Sequence, residues 1–550
     1  MVRNLFSLLS ARQNSILSGA FVLMVTIGAS KVLGLIRDRL LAHTFSPDQT
    51  AVYFAAFRLP DLLFQLFIFG AVSVAFIPVF TDYLHKKSEK EAFEFAADIL
   101  NIVLLLFAAV TVIFLIFAGP VTSLIVPGFS EAEKEMTTGL TRIIIIGQLL
   151  LVIGAFFVGI CQAYQRFIIP ALAASFYTVG IIIGIVVLSP FLGIFGPAYG
   201  VIIGAILHIL TQMSLVSKLG FRYRFKLDIF NEGIKEVLRM MSIRTLGIAA
   251  EQLNETIGVV LASLISASSV TYLTFAHHLQ AVPIGLFGAT LAQAALPVLS
   301  REKTTGEDDS FKTTLLTTLH QIMFLSLPAA AMLIVLRIPA VRMVFGASQF
   351  DWASTVLTGT TLAWLAVGLT AQSMNLLLIR GFYALKDTRT PVVVSVLAVG
   401  VNVLLSYVFV KNLGLDVWSL GLAYAISANA SLIFLVFSLS KRLGGFNQKE
   451  LFIPAAKMLL AAVIAALVIY IPLKGLDTLI FDTTKTINLL VLTSIASFFG
   501  LSTYVFIVWL LKVKELETFG NLLKKVYQMK WMGGAKNDTM PNPPDTTTSL

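Results

Sequence analysis

The sequence predicts an all-α membrane protein that crosses the bilayer many times. Of its 550 residues 57% are hydrophobic and only 13% are charged, which is unlike a soluble domain of this size. Only helices and closed barrels span lipid, and a helix needs about 20 apolar residues to cross a hydrocarbon core of about 30 Å. Runs such as 99–118 and 459–471 have this character without the two-residue alternation of a barrel strand. The predicted class is therefore polytopic and helical.

Fourteen spans are expected, and each is justified by an apolar run that ends at a charged or turn-forming segment. The limits of spans 1 to 14 are 16–44, 50–81, 91–118, 137–163, 168–189, 197–219, 236–266, 271–300, 311–337, 353–384, 390–410, 418–440, 451–473 and 486–511. In spans 5 and 6, the pairs Gly180/Gly184 and Gly200/Gly204 predict close helix packing rather than a ligand site.

Positive charge alternates between the two sides of this layout. When residues up to four positions inside a span limit are counted with the adjacent loop, one set of loops and both termini carry 27 Lys and Arg residues, the opposite set carries 6, and 7 lie deeper within spans. Because cytoplasmic loops collect Lys and Arg, both termini are expected in the cytoplasm, which agrees with an even number of spans. The net charge of +10 therefore indicates membrane topology and not a nucleic-acid partner.

A weak internal repeat divides the chain. The segment 163–170 resembles 384–391, and their final prolines, Pro170 and Pro391, are 221 residues apart. Spans 1–6 and 7–12 thus form two lobes, 1–225 and 226–445, related by a pseudo-two-fold axis along the membrane normal. Spans 13 and 14 (446–515) lie outside the repeat, and a cytoplasmic tail (516–550) is expected to be disordered from about residue 533.

Several chemistries find no support in the sequence. Cys161 is the single cysteine, which excludes an intrachain disulfide and argues against a thiolate metal cluster. The chain contains no Walker A loop, no HExxH and no dinucleotide fingerprint. No cofactor is expected, and the chain is interpreted as a transporter rather than an enzyme.

Ionic side chains interrupt the first two apolar spans. Charges within a span are costly and usually face a water-filled pathway. Several cations around one cavity would suit an anionic cargo, because guanidinium groups bind phosphate with two parallel hydrogen bonds. The alternative is that these cations extend to the membrane interface. The ionic residues are Lys31, Arg37, Asp38, Arg39, Arg58 and Asp61.

Three motifs resemble the MurJ/MviN family of lipid II flippases. Residues 30–38 (SKVLGLIRD) are similar to the family's first-helix signature, and 56–63 (AFRLPDLL) with 75–79 (AFIPV) to its second helix. Residues 381–391 (GFYALKDTRTP) are similar to the loop between its tenth and eleventh helices. Together with the fourteen-span layout, the resemblance extends to about residue 515.

The resemblance implies a fold of the multidrug/oligosaccharidyl-lipid/polysaccharide exporter superfamily. It further implies movement of undecaprenyl-linked peptidoglycan precursor from the inner to the outer leaflet of the bacterial inner membrane, for cell-wall synthesis and cell shape. Cations between the lobes would hold the diphosphate head group, and helices 13 and 14 would form a groove for the lipid tail. The implied partners are the polyprenyl-linked glycolipid, membrane lipid and proteins of cell-wall synthesis.

The family's motif residues carry over unevenly. Arg37 and Asp38 match directly, Lys31 stands where the family usually has Arg, and Arg58 stands at its basic position before Leu-Pro. His278 falls where the family has an Arg in helix 8, so that the second lobe loses a permanent cation. The expected substrate-binding residues are Lys31, Arg37, Asp38, Arg39, Arg58 and His278. Further departures, which leave the lipid substrate open, fall at Ala51, Phe64, Gln65 and Phe69.

Span 7 carries a second polar group. Glu251 and Glu255 are four residues apart and share one helix face. With Asn402 in span 11 they are candidates for a proton- or sodium-coupling site, and the alternative is a salt bridge with a neighbouring cation. The membrane potential could also drive transport directly, since moving one charge across 100 mV is worth about 2.3 kcal/mol.

Two other functions compete with lipid II transport. A related exporter could carry another polyprenyl-linked glycan or drugs, given the departures from the family's cavity residues. A membrane enzyme acting on polyprenyl phosphates would need a cluster of acids or histidines at one membrane face. The acids of the predicted loops, Asp48, Asp351 and Asp416, are scattered along the chain and do not suggest such a cluster.

Overall fold

The structure, a computed structural model, is almost entirely helical. It describes residues 16–71, 76–166, 168–227, 232–346, 349–479 and 485–520. The helices are α1 (Ile16–Thr44), α2 (Pro47–Ala71), α3 (Ile77–Lys86), α4 (Glu89–Ile125), α5 (Glu131–Ala163), α6 (Ile168–Leu192), α7 (Phe195–Lys218), α8 (Glu232–Ile265), α9 (Ala267–Thr305), α10 (Asp308–Val335), α11 (Arg337–Phe345), α12 (Trp352–Val367), α13 (Leu369–Ala384), α14 (Arg389–Asn412), α15 (Trp418–Arg442), α16 (Gln448–Leu479) and α17 (Thr486–Leu510).

The predicted helical membrane class is confirmed. Within the described residues, eleven helices are long and apolar enough to cross a membrane, and α12 with α13, which meet at 43°, make a twelfth if they are one broken span. Helices α1 and α8 occupy the places of predicted spans 1 and 7. The total of fourteen spans stays a prediction, and the tail from 521 onward lies outside the described residues.

Polar caps begin several of these helices. Ser130 accepts a hydrogen bond from the Glu133 amide, and the Glu133 carboxylate accepts one from the Ser130 amide, which completes a capping box for α5. Asp351 caps α12 through a single hydrogen bond, which it accepts from the Ser354 amide at 2.8 Å. Such caps satisfy amide groups that have no partner within the helix, so they set where each span starts.

The two halves of the chain repeat their local backbone geometry. Helices α5 and α13 both end with a non-glycine residue at positive φ, Gln165 (57°) and Lys386 (59°), which are 221 residues apart. In both places the next amide reaches back to the carbonyl five residues earlier, Arg166 to Cys161 at 2.8 Å and Asp387 to Phe382 at 2.9 Å. This is the Schellman helix ending, and its recurrence supports the predicted repeat.

Close packing of α6 on α7 depends on glycine, as the sequence predicts. A Cβ on Gly184 would lie 2.7 Å from the Gly200 Cα atom, and one on Gly180 would overlap Gly204. The missing side chains let the two backbones approach, which is how small residues support helix contacts in membranes. The packing interpretation of both pairs is confirmed.

One hydrophobic core joins the two halves at the end of the molecule where α1 stops and α2 starts. It contains Leu41, Tyr53 and Ile144 from the first half and Phe275, Phe345 and Leu362 from the second. At the opposite helix ends the buried cores are separate. One forms around Phe80, Phe95 and Phe156 and also takes in Ile234 and Val237 from the start of α8, and the other forms around Phe311, Leu377 and Leu439. The halves are therefore closed against each other at one end.

The last two spans pack beside the second half. Met458 and Ala461 of α16, with Val508 of α17, form a core with Phe324 of α10. The Tyr504 hydroxyl donates to the Phe324 carbonyl at 3.0 Å, which satisfies a buried polar group at this contact. Helices α16 and α17 are thus attached to α10.

Direct polar and backbone contacts reinforce the closed end. The Thr271 hydroxyl of α9 donates to the Pro47 carbonyl of α2 at 2.6 Å, and Ser268 donates to Asp48. Gly128, between α4 and α5, lies so close to Ser263 of α8 that a Cβ would overlap the Ser263 carbonyl. Backbone cannot yield to such an overlap, so this glycine is needed for closure.

We predict that Gly128→Ala forces the two halves apart at the closed end. The yield of a disulfide between Asp48→Cys and Ser268→Cys, measured in a Cys161→Ala background, should fall several-fold. Gly119→Ala is the matched control, since a Cβ there meets nothing within 4 Å. An undiminished yield in Gly128→Ala would contradict the contact.

The loop before α14 is held by a buried carboxylate. Asp387 accepts hydrogen bonds from the Arg389 amide at 3.0 Å and from the Thr390 amide at 3.1 Å, and it pairs with Arg442 at 2.6 Å. Burial alone would raise the pKa of Asp387, but the hydrogen bonds from Thr390 and Arg389 and the charge of Arg442 together lower it. Asp387, the acidic residue of the 381–391 motif, therefore has a structural role: it caps α14 and links this helix to α15 through Arg442.

Asp387→Asn should destabilise the protein by about 1 kcal/mol at pH 7, because Asn keeps an acceptor oxygen but loses the ion pair with Arg442 and the charge that strengthens the hydrogen bonds from two amides. Because the pKa of Asp387 in the fold lies below its ordinary 3.8, the ionised group stabilises above that pH, and the difference between variant and parent should shrink as the pH falls below about 4. Thermal unfolding in detergent across this range measures it. Asp309→Asn, at an exposed surface pair of 3.9 Å, should change little.

Candidate functional site

Asp38 is the centre of a hydrogen-bonded network that joins the two halves. It is 1% exposed and lies on α1. Its Oδ1 accepts from Arg37 Nε at 2.9 Å and Nη2 at 2.6 Å, and its Oδ2 lies 2.7 Å from His278 Nδ1 on α9. The Asp38 carboxylate thus has a partner on each oxygen, as a buried charge requires.

Aromatic rings lie against both histidines of α9 near this contact. The ring of Phe54 meets the His278 ring edge to face, with centroids 5.8 Å apart. His277, the neighbouring histidine, turns instead toward Tyr424 of α15, at 5.0 Å between centroids. Of the two histidines, His278 is the one that contacts the predicted binding residues.

An ion pair also crosses between the halves. Arg58 Nη1 of α2 lies 2.6 Å from Glu255 Oε2 of α8. The Arg58 side chain is 18% exposed and the Glu255 side chain is 51% exposed, so Glu255 is the more solvent-exposed partner. Glu255 is therefore engaged by a cation, which corresponds to the salt-bridge alternative that the sequence left open.

Lys31 also reaches across to the second half. Its Cε would lie 3.5 Å from a Cβ on Gly285, within the π-helical stretch Ile284–Ala289 of α9. That stretch follows Pro283, which has no amide hydrogen to continue the α-helical ladder, and so the helix widens there. Most of the predicted binding residues therefore lie where α1 and α2 face α8 and α9. They are Lys31, Arg37, Asp38, Arg58 and His278.

Arg39 lies apart from this group. Its Nη1 donates to the carbonyls of Met343 at 2.6 Å and Val344 at 3.2 Å, near the end of α11. Unpaired carbonyls at a helix C-terminus attract cations, which accounts for this placement. Arg39 therefore binds the end of α11 at the closed end and does not lie among the other predicted binding residues.

The cations near the contact are balanced by acids. Lys31, Arg37 and Arg58 carry three positive charges, and Asp38, Asp61 and Glu255 carry three negative charges. Asp61 accepts a hydrogen bond from Gln148 Nε2 of α5 at 2.7 Å. A site that the sequence presents as strongly cationic is thus formally neutral, apart from the histidines.

Two of the three predicted coupling residues have described side chains, and each of the two contacts a different group. Asn402 Nδ2 donates to Asn254 Oδ1 at 2.7 Å, and Ser406 Oγ lies 3.5 Å from Asn402 Oδ1. Glu255 pairs with Arg58, and the side chain of Glu251 lies outside the described residues. Asn402 therefore contacts span 7 as expected, but through an amide.

Sequence reasoning missed Gln148 altogether and did not assign Glu255 to Arg58. Gln148 interrupts an otherwise apolar stretch, IIIIGQLLLVIG, and is 2% exposed. A polar residue in such a run needs a buried partner, so it is a signal that could have been used. The identity of that partner depends on how α2 and α5 lie side by side, which one sequence does not reveal.

Comparisons with known proteins agree with this architecture. The family model described as lipid II flippase MurJ matches residues 41–481. A probable lipid II flippase MurJ of Bdellovibrio bacteriovorus is 27% identical over 89% of this chain and 95% of its own. The lipid II flippase MurJ of Burkholderia cenocepacia is 27% identical over 76% of this chain and 82% of its own.

Solved structures show the same fold. A lipid II flippase MurJ in an inward closed conformation superposes with a TM-score of 0.74 at 25% identity, covering 88% of this chain and 98% of that one. An inward-facing multidrug transporter of the MATE family gives a TM-score of 0.64 at 15% identity over 77% of this chain and 98% of its own, which is a likeness of fold. The chain is a multi-span membrane protein, and it belongs to the lipid II flippase MurJ family.

Proposed function

We propose that this protein is a flippase that carries lipid II across the membrane by alternating access. The observation that carries the proposal is the placement of Lys31, Arg37 and Arg58 on α1 and α2 where these helices meet the second half. Family membership supplies the substrate class, a diphosphate linked to a polyprenyl chain and a peptidoglycan precursor. As a transporter it would need no catalytic residue and no cofactor.

A diphosphate head group cannot cross hydrocarbon alone, because burying an unpaired charge is very costly. Arg37 is held by Asp38 through two of its nitrogens, which orients the guanidinium and leaves part of its donor fork available. Arg58 holds Glu255 through one nitrogen, and this carboxylate is half exposed. A phosphate oxygen could replace Glu255 as the partner of Arg58 at little cost, since water already reaches it.

Alternating access is supported by the distribution of the cores. The halves share one core at one end, whereas at the other end two cores stay distinct, although the first of them takes in Ile234 and Val237 from the start of α8. Closer joining of the halves at one end than at the other is expected for a carrier that opens toward one side. We propose the lobes 1–225 and 226–445 as the moving bodies, with 446–515 as the lipid-tail element and 516–550 as a tail. The membrane potential, or a proton or sodium gradient, would supply the driving force.

We propose that the protein resides in the bacterial inner membrane with both termini in the cytoplasm. The closed end then faces outward, because α1 ends there after one crossing from the N-terminus. Substituted cysteines at Ser130 and Asp351 should react with an impermeant maleimide added to spheroplasts, whereas cysteines at Ser88 and Thr388 should react only after lysis. The reverse pattern would contradict this orientation.

Arg37→Ala should abolish lipid II transport, because it removes the oriented phosphate ligand. The measurement is rescue of a strain depleted of its own flippase, together with native mass spectrometry of the purified variant for bound lipid II. Loss of growth with normal expression and insertion is the expected result.

Arg39→Ala provides the matched control, as it removes an equal charge two residues away, whose hydrogen bonds within the described residues go to α11 carbonyls. It should still support growth. Rescue by Arg37→Ala would remove Arg37 from the binding site. Recovery of a different glycolipid, or of none, from the parent protein would instead favour the exporter alternative.

A further inference from the structure

Asp61 and Gln148 form an incomplete hydrogen-bonded pair inside the first half. Gln148 Nε2 donates to Asp61 Oδ1 at 2.7 Å, and the whole Gln148 residue is 2% exposed. Among the described residues, Gln148 Oε1 has no hydrogen-bond partner although it is completely buried. A buried acceptor without a donor typically costs about 1–3 kcal/mol, so its presence calls for a physical explanation.

A proton on Asp61 would complete this pair. A protonated carboxyl and a carboxamide can exchange two hydrogen bonds, with O–H donating to Oε1 while Nε2 donates to the other carboxyl oxygen. An ionised carboxylate offers no donor and leaves Oε1 unsatisfied. If the amide is turned over, Oε1 itself faces the carboxyl oxygen at hydrogen-bond distance, and a proton is again needed between them.

The charged and titratable neighbours of Asp61 come from four helices. On its own helix these are Arg58 and Tyr53, and facing it are Arg37 of α1, Tyr177 of α6 and Glu255 of α8. Arg58 is engaged by Glu255 and Arg37 by Asp38. The Tyr53 hydroxyl is buried without a hydrogen-bond partner in the part of the chain that the structure describes. Asp61 is thus the one acid of this group whose short contact is to a neutral amide.

We propose that Asp61 and Gln148 form a proton-binding site that is loaded together with the anionic head group. The inference rests on the proposed flippase function and specifies how it is coupled to ions. One proton from water binds a carboxyl oxygen of Asp61 and leaves again as a proton when the site faces the other side, so no other reactant is needed.

Charge balance links the proton to the cargo. With Asp61 ionised, the three cations face three acids, and a diphosphate would bring in excess negative charge. Neutral Asp61 leaves one net positive charge for the phosphates, and a bound diphosphate in turn favours the neutral carboxyl. By thermodynamic reciprocity, each ligand raises the affinity for the other.

Two of the three expected coupling residues fit this role less well, and the side chain of the third, Glu251, lies outside the described residues. Glu255 has a cation as its partner, and Asn402 does not titrate. His278 is the main competing proton acceptor, because it faces Asp38 from the second half. The experiment therefore has to separate Asp61 from His278.

Calorimetry of lipid II binding to the full-length protein at pH 7, in two buffers that differ in ionisation enthalpy, measures protons taken up on binding. The parent should take up about half a proton or more. Asp61→Asn, which imitates the neutral acid, should bind lipid II at least as tightly with uptake near zero. His278→Gln should retain the uptake. Unfolding temperatures close to the parent's confirm that each variant is folded.

Three results would overturn the proposal: no proton uptake by the parent, full uptake by Asp61→Asn, or loss of uptake in His278→Gln alone. If lipid II still binds in these three cases, the proposed flippase function stands and only the proton site is refuted. Failure of the parent protein to bind lipid II would count against both the flippase function and the proton site.

A measurement without ligand is infrared spectroscopy across a pH titration. The parent should show a protonated-carboxyl band that is missing in Asp61→Asn, and its presence in both would contradict the assignment.

Discussion

Compensation of buried charge is the constraint on which the rest of this structure depends. Asp38 is almost completely buried inside the helical bundle, and it is tolerated because Arg37 and His278 satisfy both of its oxygens. One of these partners lies on the same helix and the other in the opposite half. The helix contact between α1 and α9 therefore cannot open without exposing Asp38 or providing it with another partner. A charge that is stable in only one arrangement of the halves makes the position of the halves sensitive to what is bound between them.

The helices and their boundaries were largely predictable from the sequence, because apolar runs and caps are local features. Ser130 and Asp351 start helices that the hydropathy pattern already located. The pairing of ionic groups was not predictable. Arg58 and Glu255 are 197 residues apart, and their contact depends on the lateral order of α2 and α8. Helix α11, which receives Arg39, was also missed, since a short segment with two arginines looks like a loop.

The two halves share backbone geometry but not chemistry. The helix endings at Gln165 and Lys386 are equivalent in their hydrogen bonds, although only the second is followed by an acid that pairs with Arg442. In the same way, the first half supplies all three cations of the site and the second half supplies His278 and Glu255. A symmetric scaffold lets two bodies rock against each other, while an asymmetric charge distribution gives the site one preferred cargo. In the proposed mechanism, the repeat provides for motion of the two lobes, and its divergence provides for selectivity.

Separation of the halves at the closed end has an electrostatic consequence. The Arg58–Glu255 pair and the His278–Asp38 contact both cross between the halves, so moving them apart leaves a carboxylate and a cation in need of partners. Water already reaches Glu255, whose side chain is half exposed. Asp38 is nearly completely buried, so water does not readily replace its partner from the second half, His278. In the proposed mechanism, a diphosphate accepts hydrogen bonds from Arg37 and Arg58, and a neutral Asp61 removes one competing acid from the same region. Under that proposal the opening step is less costly with cargo and proton present than with neither, and such a difference is what a carrier needs in order to move only when loaded.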